Sequence, residues 1–486
     1  MADRAILAID QGTTNTKALL IAQNGGIIAE ATCATSVDYP RPGWAEQSPE
    51  IIWNSVLDVV RRTVAASRGW TIAAIGISNQ RESALLWERD TAEPIGPCIL
   101  WQCRRTSARC ADLRAEGFEA MVAAKTGLRL DPLFSATKLA WLLDQSPNNA
   151  ERAARGELQA GTVDSWLLRK LTGRHATDFS NASRTQLLSI SSGTWDDELC
   201  ELFGVPRAVL PEVQPSDSFF GETSSELDGI PPGIPVQAMM GDSHAALFGH
   251  GIEQPGRVKV TIGTGSSLMT PTPRPVTSSH GLSTTIAWRN SQTTVYALEG
   301  NIAISGQAAA FAAKLLGVAD QQALCELANS VPDNGGVSLV PALAGLGAPH
   351  WRDNARGMIC GMSLSTMPGH IARAAYEGIA LQIRDVFASI EADIRCQVES
   401  ISVDGGASSN DFLMQLLADV LDRPAQRMNT TEVSALGAAR MAGRAIGMSI
   451  PHAKPKRTFV PSKDEVWRSA MLATWNDAIA RASYAA

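Results

Sequence analysis

Two short apolar runs, Ala5-Ile6-Leu7-Ala8-Ile9 and Ala18-Leu19-Leu20-Ile21-Ala22, flank the cluster Asp10-Gln11-Gly12-Thr13-Thr14. Runs this short, bounded by Gly and Thr, predict two strands joined by a tight turn. Such a turn directs backbone N–H groups and hydroxyls at one spot, which suits a phosphate. The Asp10 carboxylate, at the strand end, is placed to hold a hydrated Mg²⁺ beside it. An ordinary hairpin, with Asp and Thr satisfying turn hydrogen bonds, is the competing reading.

A second turn of the same kind shifts the balance. Gly263-Thr264-Gly265-Ser266-Ser267 follows the strand-like Val258-Lys259-Val260-Thr261-Ile262. A third loop, Asp404-Gly405-Gly406-Ala407-Ser408-Ser409-Asn410, follows the apolar stretch around Ile401 and Val403. It opens a helical pattern with Phe412, Leu413, Leu416, Leu417, Val420 and Leu421 on one face, closed by Pro424. Three glycine loops, each leaving a strand, imply a nucleotide gripped between two similar halves.

At 486 residues the chain exceeds one ordinary core and predicts two large domains, 1–250 and 251–486. The division falls where Gly249-His250-Gly251 and Pro255-Gly256 interrupt the pattern. A net charge of −7 argues against a nucleic-acid surface. The apolar stretches fall short of the roughly 20 residues of a membrane span. The first strand begins by Ala5, which leaves no room for a signal peptide. Eight scattered cysteines with no Cys-x-x-Cys pair fit free thiols of a reducing cytoplasm. Seven histidines form no His-x-x-x-His pair, so a metal held by the protein alone is not expected.

The opening strands read as a meander: one ending at Asp10, one over 16–23 and one over 27–33. The second half opens alike, with strand, Gly-Thr-Gly turn, strand, then strands over 284–288 and 293–298. Pro271-Thr272-Pro273-Arg274-Pro275 reads as a surface loop. The clearest helix carries Ile371, Ala375, Ile379, Ile383, Val386, Phe387, Ile390 and Ile394 on one stripe after Pro368, a core-facing pattern.

Further blocks turn this pattern into a resemblance. They are Pro42-Gly43-Trp44-Ala45-Glu46-Gln47, Gly76-Ile77-Ser78-Asn79-Gln80-Arg81-Glu82, Trp101-Gln102-Cys103-Arg104-Arg105, Asn181-Ala182-Ser183-Arg184-Thr185, Gly241-Asp242 and Gly345-Leu346-Gly347-Ala348-Pro349-His350-Trp351. With the Asp404–Asn410 loop they make the chain resemble the FGGY carbohydrate kinases, most closely the glycerol kinases among them, from Asp10 to about Gly447. The resemblance implies a two-domain α/β fold of the actin/hexokinase/Hsp70 (ribonuclease H-like) type, each domain a mixed β-sheet flanked by helices. ATP, Mg²⁺ and a small polyol or sugar would meet in the cleft, and the enzyme would be a cytoplasmic homo-oligomer, a dimer or tetramer. By that resemblance Thr13, Thr14, Asn15, Lys17 and Thr264 match positions touching nucleotide phosphates, and Gly306, Ala310, Gly406 and Asn410 match positions around the nucleotide. Arg81 and Glu82 match the pair holding adjacent acceptor hydroxyls: a guanidinium donates, a carboxylate accepts. Trp101 matches the aromatic wall of the acceptor, and Asp242 the general base.

Departures from the glycerol kinase pattern cluster at the acceptor. Leu133 replaces a Tyr, Ser243 a Gln, and Ser267 a Phe that closes over the carbon chain. On the nucleotide side Lys17 replaces an Arg and Ala310 a Gln. Losing two rings enlarges the expected pocket and changes its polarity. The reading is therefore a kinase of glycerol or a related small polyol or sugar, with a four- or five-carbon polyol or ketose such as xylulose or ribulose as the alternative acceptor. A non-catalytic nucleotide-binding regulator of the same fold is the alternative of another class. Retention of Asp10, Asp242, Arg81 and Glu82 speaks against it.

Overall fold

Strands β1 (Asp3–Gln11), β2 (Asn15–Ala22) and β3 (Ile27–Ala34) form the expected antiparallel meander in the computed structural model, which describes residues 3–352 and 354–484. Asp10 faces Lys17 across β1 and β2, and the Gly12 N–H donates to the Asn15 carbonyl at 2.9 Å to close the turn. Helix α1 (Pro49–Ala66) returns the chain to β4 (Trp70–Asn79), which lies parallel beside β1. Helix α2 (Ser135–Leu143) packs near the site described below. Short β5 (Gly221–Glu222) and β6 (Pro235–Gly241) complete the sheet order β5–β6–β4–β1–β2–β3, with β6 parallel to β4. Parallel β1, β4 and β6 are buried on both faces, which explains their continuous apolar runs. Their carboxyl ends share one edge: Asp10 pairs with Ser78, and Gly241 with Asn79. Open sheets of this kind bind ligands at that edge. Helix α3 (Asp242–Gly249) starts there directly.

The second sheet contains β7 (Arg257–Ile262), β8 (Ser266–Thr272), β9 (Ser283–Arg289), β10 (Thr294–Ile302), β11 (Ser400–Asp404), β12 (Ala425–Met428) and β13 (Pro455–Phe459). Its order, β9–β10–β8–β7–β11–β12–β13, departs from a simple meander. The chain passes over the place beside β8, which β10 fills, and β9 takes the edge. That edge is covered by the first half of the chain: the Thr284 N–H donates to the Gly127 carbonyl at 2.9 Å, and Ser183 and Thr285 share a hydroxyl bond of 2.8 Å. Covering an edge strand removes its unpaired backbone groups from water. Pro271 is not in a loop as expected but buried within β8, opposite Ala297. Pro271 still faces β10, but the pairing of β8 with β7 ends at Met269, so on that side there is no ladder for a proline to interrupt.

Helices α4 (Gly306–Leu316), α5 (Pro368–Ile394) and α6 (Asp411–Leu421) cover this sheet, and α5 buries Ile379, Ile383, Val386 and Ile390 as its stripe predicts. Helix α7 (Val433–Ala445) follows β12 in the chain but packs on β1, β4 and β6 of the first sheet and against α3. The approach to α3 is too close for side chains: a Cβ on Gly437 would stand 1.8 Å from the Ala245 carbonyl oxygen, and one on Gly249 would stand 2.2 Å from that of Val433. The helix carrying Asp242 is thus fixed by backbone-to-backbone packing.

Candidate active site

Asp242 is the first residue of α3, and the Ser243 N–H donates to its Oδ1 at 2.5 Å. Arg81, just beyond β4, donates from Nε to the same oxygen at 3.0 Å. Its two terminal nitrogens reach across to Glu299 on β10, at 2.9 and 2.8 Å, in the two-point geometry a planar guanidinium favours. Glu82 adopts φ 59°, a left-handed backbone uncommon outside glycine. Three groups hold it there. Arg184 Nε donates to its Oε1 at 2.5 Å, while Ser135 Oγ and Lys138 Nζ donate to its carbonyl at 3.1 and 2.9 Å. Lys138 also donates to the carbonyl of Leu133 at 2.6 Å, so one buried ammonium ties the Glu82 and Leu133 backbones together. Burial lowers the Lys138 ammonium to about 8, against nearby Glu82.

Ser267 is almost fully covered. Its hydroxyl donates to Glu299 Oε1 at 2.9 Å and accepts from Lys259 Nζ at 3.4 Å. Burial opposes ionisation of Glu299, but Arg184 and Arg81 hold its carboxyl well below the usual range. Burial lowers the neighbouring His244 imidazole well below its ordinary value and Arg81 adds to this, so the ring is neutral. Desolvation raises the Asp242 carboxyl, with Arg81 opposing and Glu82 reinforcing.

The Asp10–Thr14 turn adjoins this group. Ser78 Oγ donates to Asp10 Oδ1 at 2.7 Å, and burial, with Asp242 and Glu432 adding, pushes the Asp10 carboxyl up to about 7. Trp101 Nε1 donates to Thr13 Oγ1 at 3.0 Å, which joins the acceptor-wall candidate to the turn. Thr14 and Asn15 are exposed at its tip. Lys17 reaches Glu432, immediately before α7, at 2.6 and 2.7 Å.

On the second sheet the Gly263 carbonyl accepts from Gly306 N at 3.0 Å, and the Thr264 carbonyl from Ser305 N at 2.9 Å, so the second glycine turn abuts the start of α4. A cleft of about 810 Å³ opens beside it, lined by Gly306, Ala309, Tyr376, Ala407, Asn410 and Phe412 among others. Asn410 caps α6 through a 3.0 Å bond from Leu413 N. Gly406 is exposed in the loop before it, and Ala310 is exposed one position beyond Ala309.

The structure therefore brings Arg81, Glu82 and Asp242 together, and Trp101 with Thr13; Gly306 and Asn410 share a separate cleft. Sequence reasoning missed Glu299, Lys259, Lys138, Glu432 and the role of Arg184. A signal existed for two of them: Lys259 and Glu299 are lone charges inside strand-like apolar runs, and a buried charge requires a partner.

Comparison with known proteins agrees with this geometry. Residues 5–249 match the N-terminal domain, and residues 258–446 the C-terminal domain, of the FGGY family of carbohydrate kinases. A glycerol kinase of Alkalilimnicola ehrlichii is 45% identical over 488 residues, 99% of this chain and 98% of the relative. An apulose kinase of Pectobacterium atrosepticum is 46% identical over 445 residues, 91% of this chain and 90% of the relative. The glycerol kinase of Plasmodium falciparum, crystallised with ADP, superposes with a TM-score of 0.93 at 30% identity, over 99% of this chain and 98% of that one. With both family domains matched and relatives this similar over nearly the whole chain, the protein is an ATP-dependent sugar or polyol kinase, and the chain belongs to the FGGY family of carbohydrate kinases.

Proposed function

We propose that the protein transfers the γ-phosphoryl group of ATP to a terminal hydroxyl of a four- or five-carbon polyol or ketose, with glycerol as a poorer acceptor and Asp242 as general base. The observation that carries the reading is the placement of Asp242: Arg81 and Ser243 hold Oδ1, which leaves Oδ2 for a hydroxyl proton. Arg81 donates to one acceptor hydroxyl, Glu82 accepts from its neighbour, and Trp101 packs against the carbon chain. Asp242 takes the proton as the acceptor oxygen bonds to phosphorus and the bond to the departing ADP breaks. Thr13, Thr14, Asn15 and Thr264 present the two turns to the phosphates, and Lys17 exchanges Glu432 for phosphate oxygen. Gly306, Gly406 and Asn410 border the nucleoside.

The residues fit Mg²⁺. Asp10 is a carboxylate raised chiefly by burial, with Asp242 and Glu432 adding negative charge that a divalent ion would relieve. An ion there would be held by Asp10 through water and by the nucleotide phosphates. When bound, the ion offsets charge on the transferring phosphoryl group.

Leu133, Ser243 and Ser267 support an acceptor larger than glycerol, and the apulose kinase relative shows that chains this similar include kinases of other acceptors. A coupled ADP-release assay over glycerol, tetritols, pentitols and ketopentoses tests the reading. The highest kcat/KM is expected for a four- or five-carbon compound; glycerol in first place overturns the proposed acceptor.

A further inference from the structure

Neither acceptor-binding side chain stands alone. Arg81 has five N–H donors; Nε is spent on Asp242 and one from each terminal nitrogen on Glu299, so two remain for an acceptor. Glu82 has one oxygen on Arg184, which leaves the other. The directions of these remaining groups depend on what grips the first ones. Both grips converge on one carboxylate: Glu299 Oε1 accepts from Arg81 Nη2 and Ser267 Oγ, while Oε2 accepts from Arg81 Nη1 and lies 2.8 Å from Arg184 Nη1. Glu299 is buried at 1% exposure, so it cannot itself touch the acceptor.

We infer that Glu299 is the positioning residue of the acceptor site: a carboxylate supplied by the second sheet that aims Arg81 directly and Glu82 through Arg184. This deepens, and rests on, the reading of Arg81 and Glu82 as the acceptor pair. The two-point grip also limits Arg81 to a single bond with Asp242. Without Glu299 the whole guanidinium is free to turn onto Asp242 and occupy the oxygen that must receive the proton. Because β10 carries Glu299 and the first half carries Arg81, Glu82 and Arg184, the acceptor site is complete only when β10 sits against the first sheet.

The test compares Glu299→Gln, Glu299→Asp and Ser267→Ala with the unchanged enzyme. Displacing reacting groups by about 1 Å costs on the order of 10²-fold. Glu299→Gln is therefore expected to lower kcat/KM for the acceptor by about 10²-fold, through a raised KM from the misdirected pair and a lowered kcat from the obstructed base, with Glu299→Asp intermediate. The ADP dissociation constant, measured by calorimetry, should stay within about twofold, a split that general loss of structure would not produce. Glu299→Gln leaves two buried arginines poorly paired. If neither Glu299 variant folds, Ser267→Ala decides, because it preserves every charge; a rise of about threefold in acceptor KM alone is expected. Unchanged acceptor KM in the folded variants, with a large rise in Arg81→Ala, overturns the positioning role. If Arg81→Ala also leaves acceptor KM unchanged, the acceptor reading itself fails.

Discussion

Asp242→Asn separates catalysis from structure at this site. The amide keeps an oxygen for the Ser243 N–H, and Arg81 remains held by Glu299 at 2.8 and 2.9 Å, so the surrounding geometry persists. What disappears is the ability to take the acceptor's proton. Loss of a general base costs roughly 10²- to 10⁴-fold, or about 3–5 kcal/mol of barrier at ~1.4 kcal/mol per tenfold. Stability should move the other way. Desolvation raises the Asp242 carboxyl in the folded protein, so the folded state binds its proton more readily than the unfolded state. The contribution of such a group is full at low pH and is lost as pH rises through its raised value, which makes the ionised side chain a cost at neutral pH. Asparagine removes that cost. Steady-state kinetics should therefore show kcat reduced by at least about 10²-fold, while the thermal midpoint is unchanged or higher and ADP binding is preserved. Near-normal turnover would refute the base assignment; lost activity with a lowered midpoint would make Asp242 a structural residue.

Asp10→Ala should weaken productive use of Mg·ATP with every acceptor, whereas Arg81→Ala should raise acceptor KM and alter selectivity; initial-rate grids with both substrates varied distinguish them, and an effect of both on the acceptor alone would refute the division of the cleft. Lys138, lowered from 10.5 to about 8, makes the folded protein bind fewer protons than the unfolded chain between those values, so its contribution to stability grows as pH rises through that window. At ~1.4 kcal/mol per pH unit this is about 3 kcal/mol over the whole window, and urea unfolding of Lys138→Met should lack that rise relative to the unchanged protein. Leu133→Tyr adds a ring at a half-buried position whose backbone Lys138 holds, and should move the kcat/KM ratio toward glycerol by roughly tenfold. An unmoved ratio would separate Leu133 from acceptor choice.

Local chemistry made much of this protein legible in its residues. The Asp10–Thr14 turn needs only Gly and Thr between two short apolar runs, and the helix from Pro368 to Ile394 needs only its stripe and a proline start. The block around Arg81 and Glu82 and the Gly241-Asp242 pair stood out by resemblance to the family rather than by local chemistry, and the fold brings Arg81 and Asp242 into contact. Tertiary structure decided three other matters. It set β10 rather than β9 beside β8, because the edge taken by β9 is covered by Ser183 and Gly127 from the other half. It sent α7 back across the chain onto the first sheet, where Gly437 and Gly249 let two helices meet at backbone distance. And it gave Arg81 its partner 218 residues away. A buried charge announces in sequence that it must be neutralised, but which opposite charge does so depends on which strands become neighbours, and no local pattern encodes that.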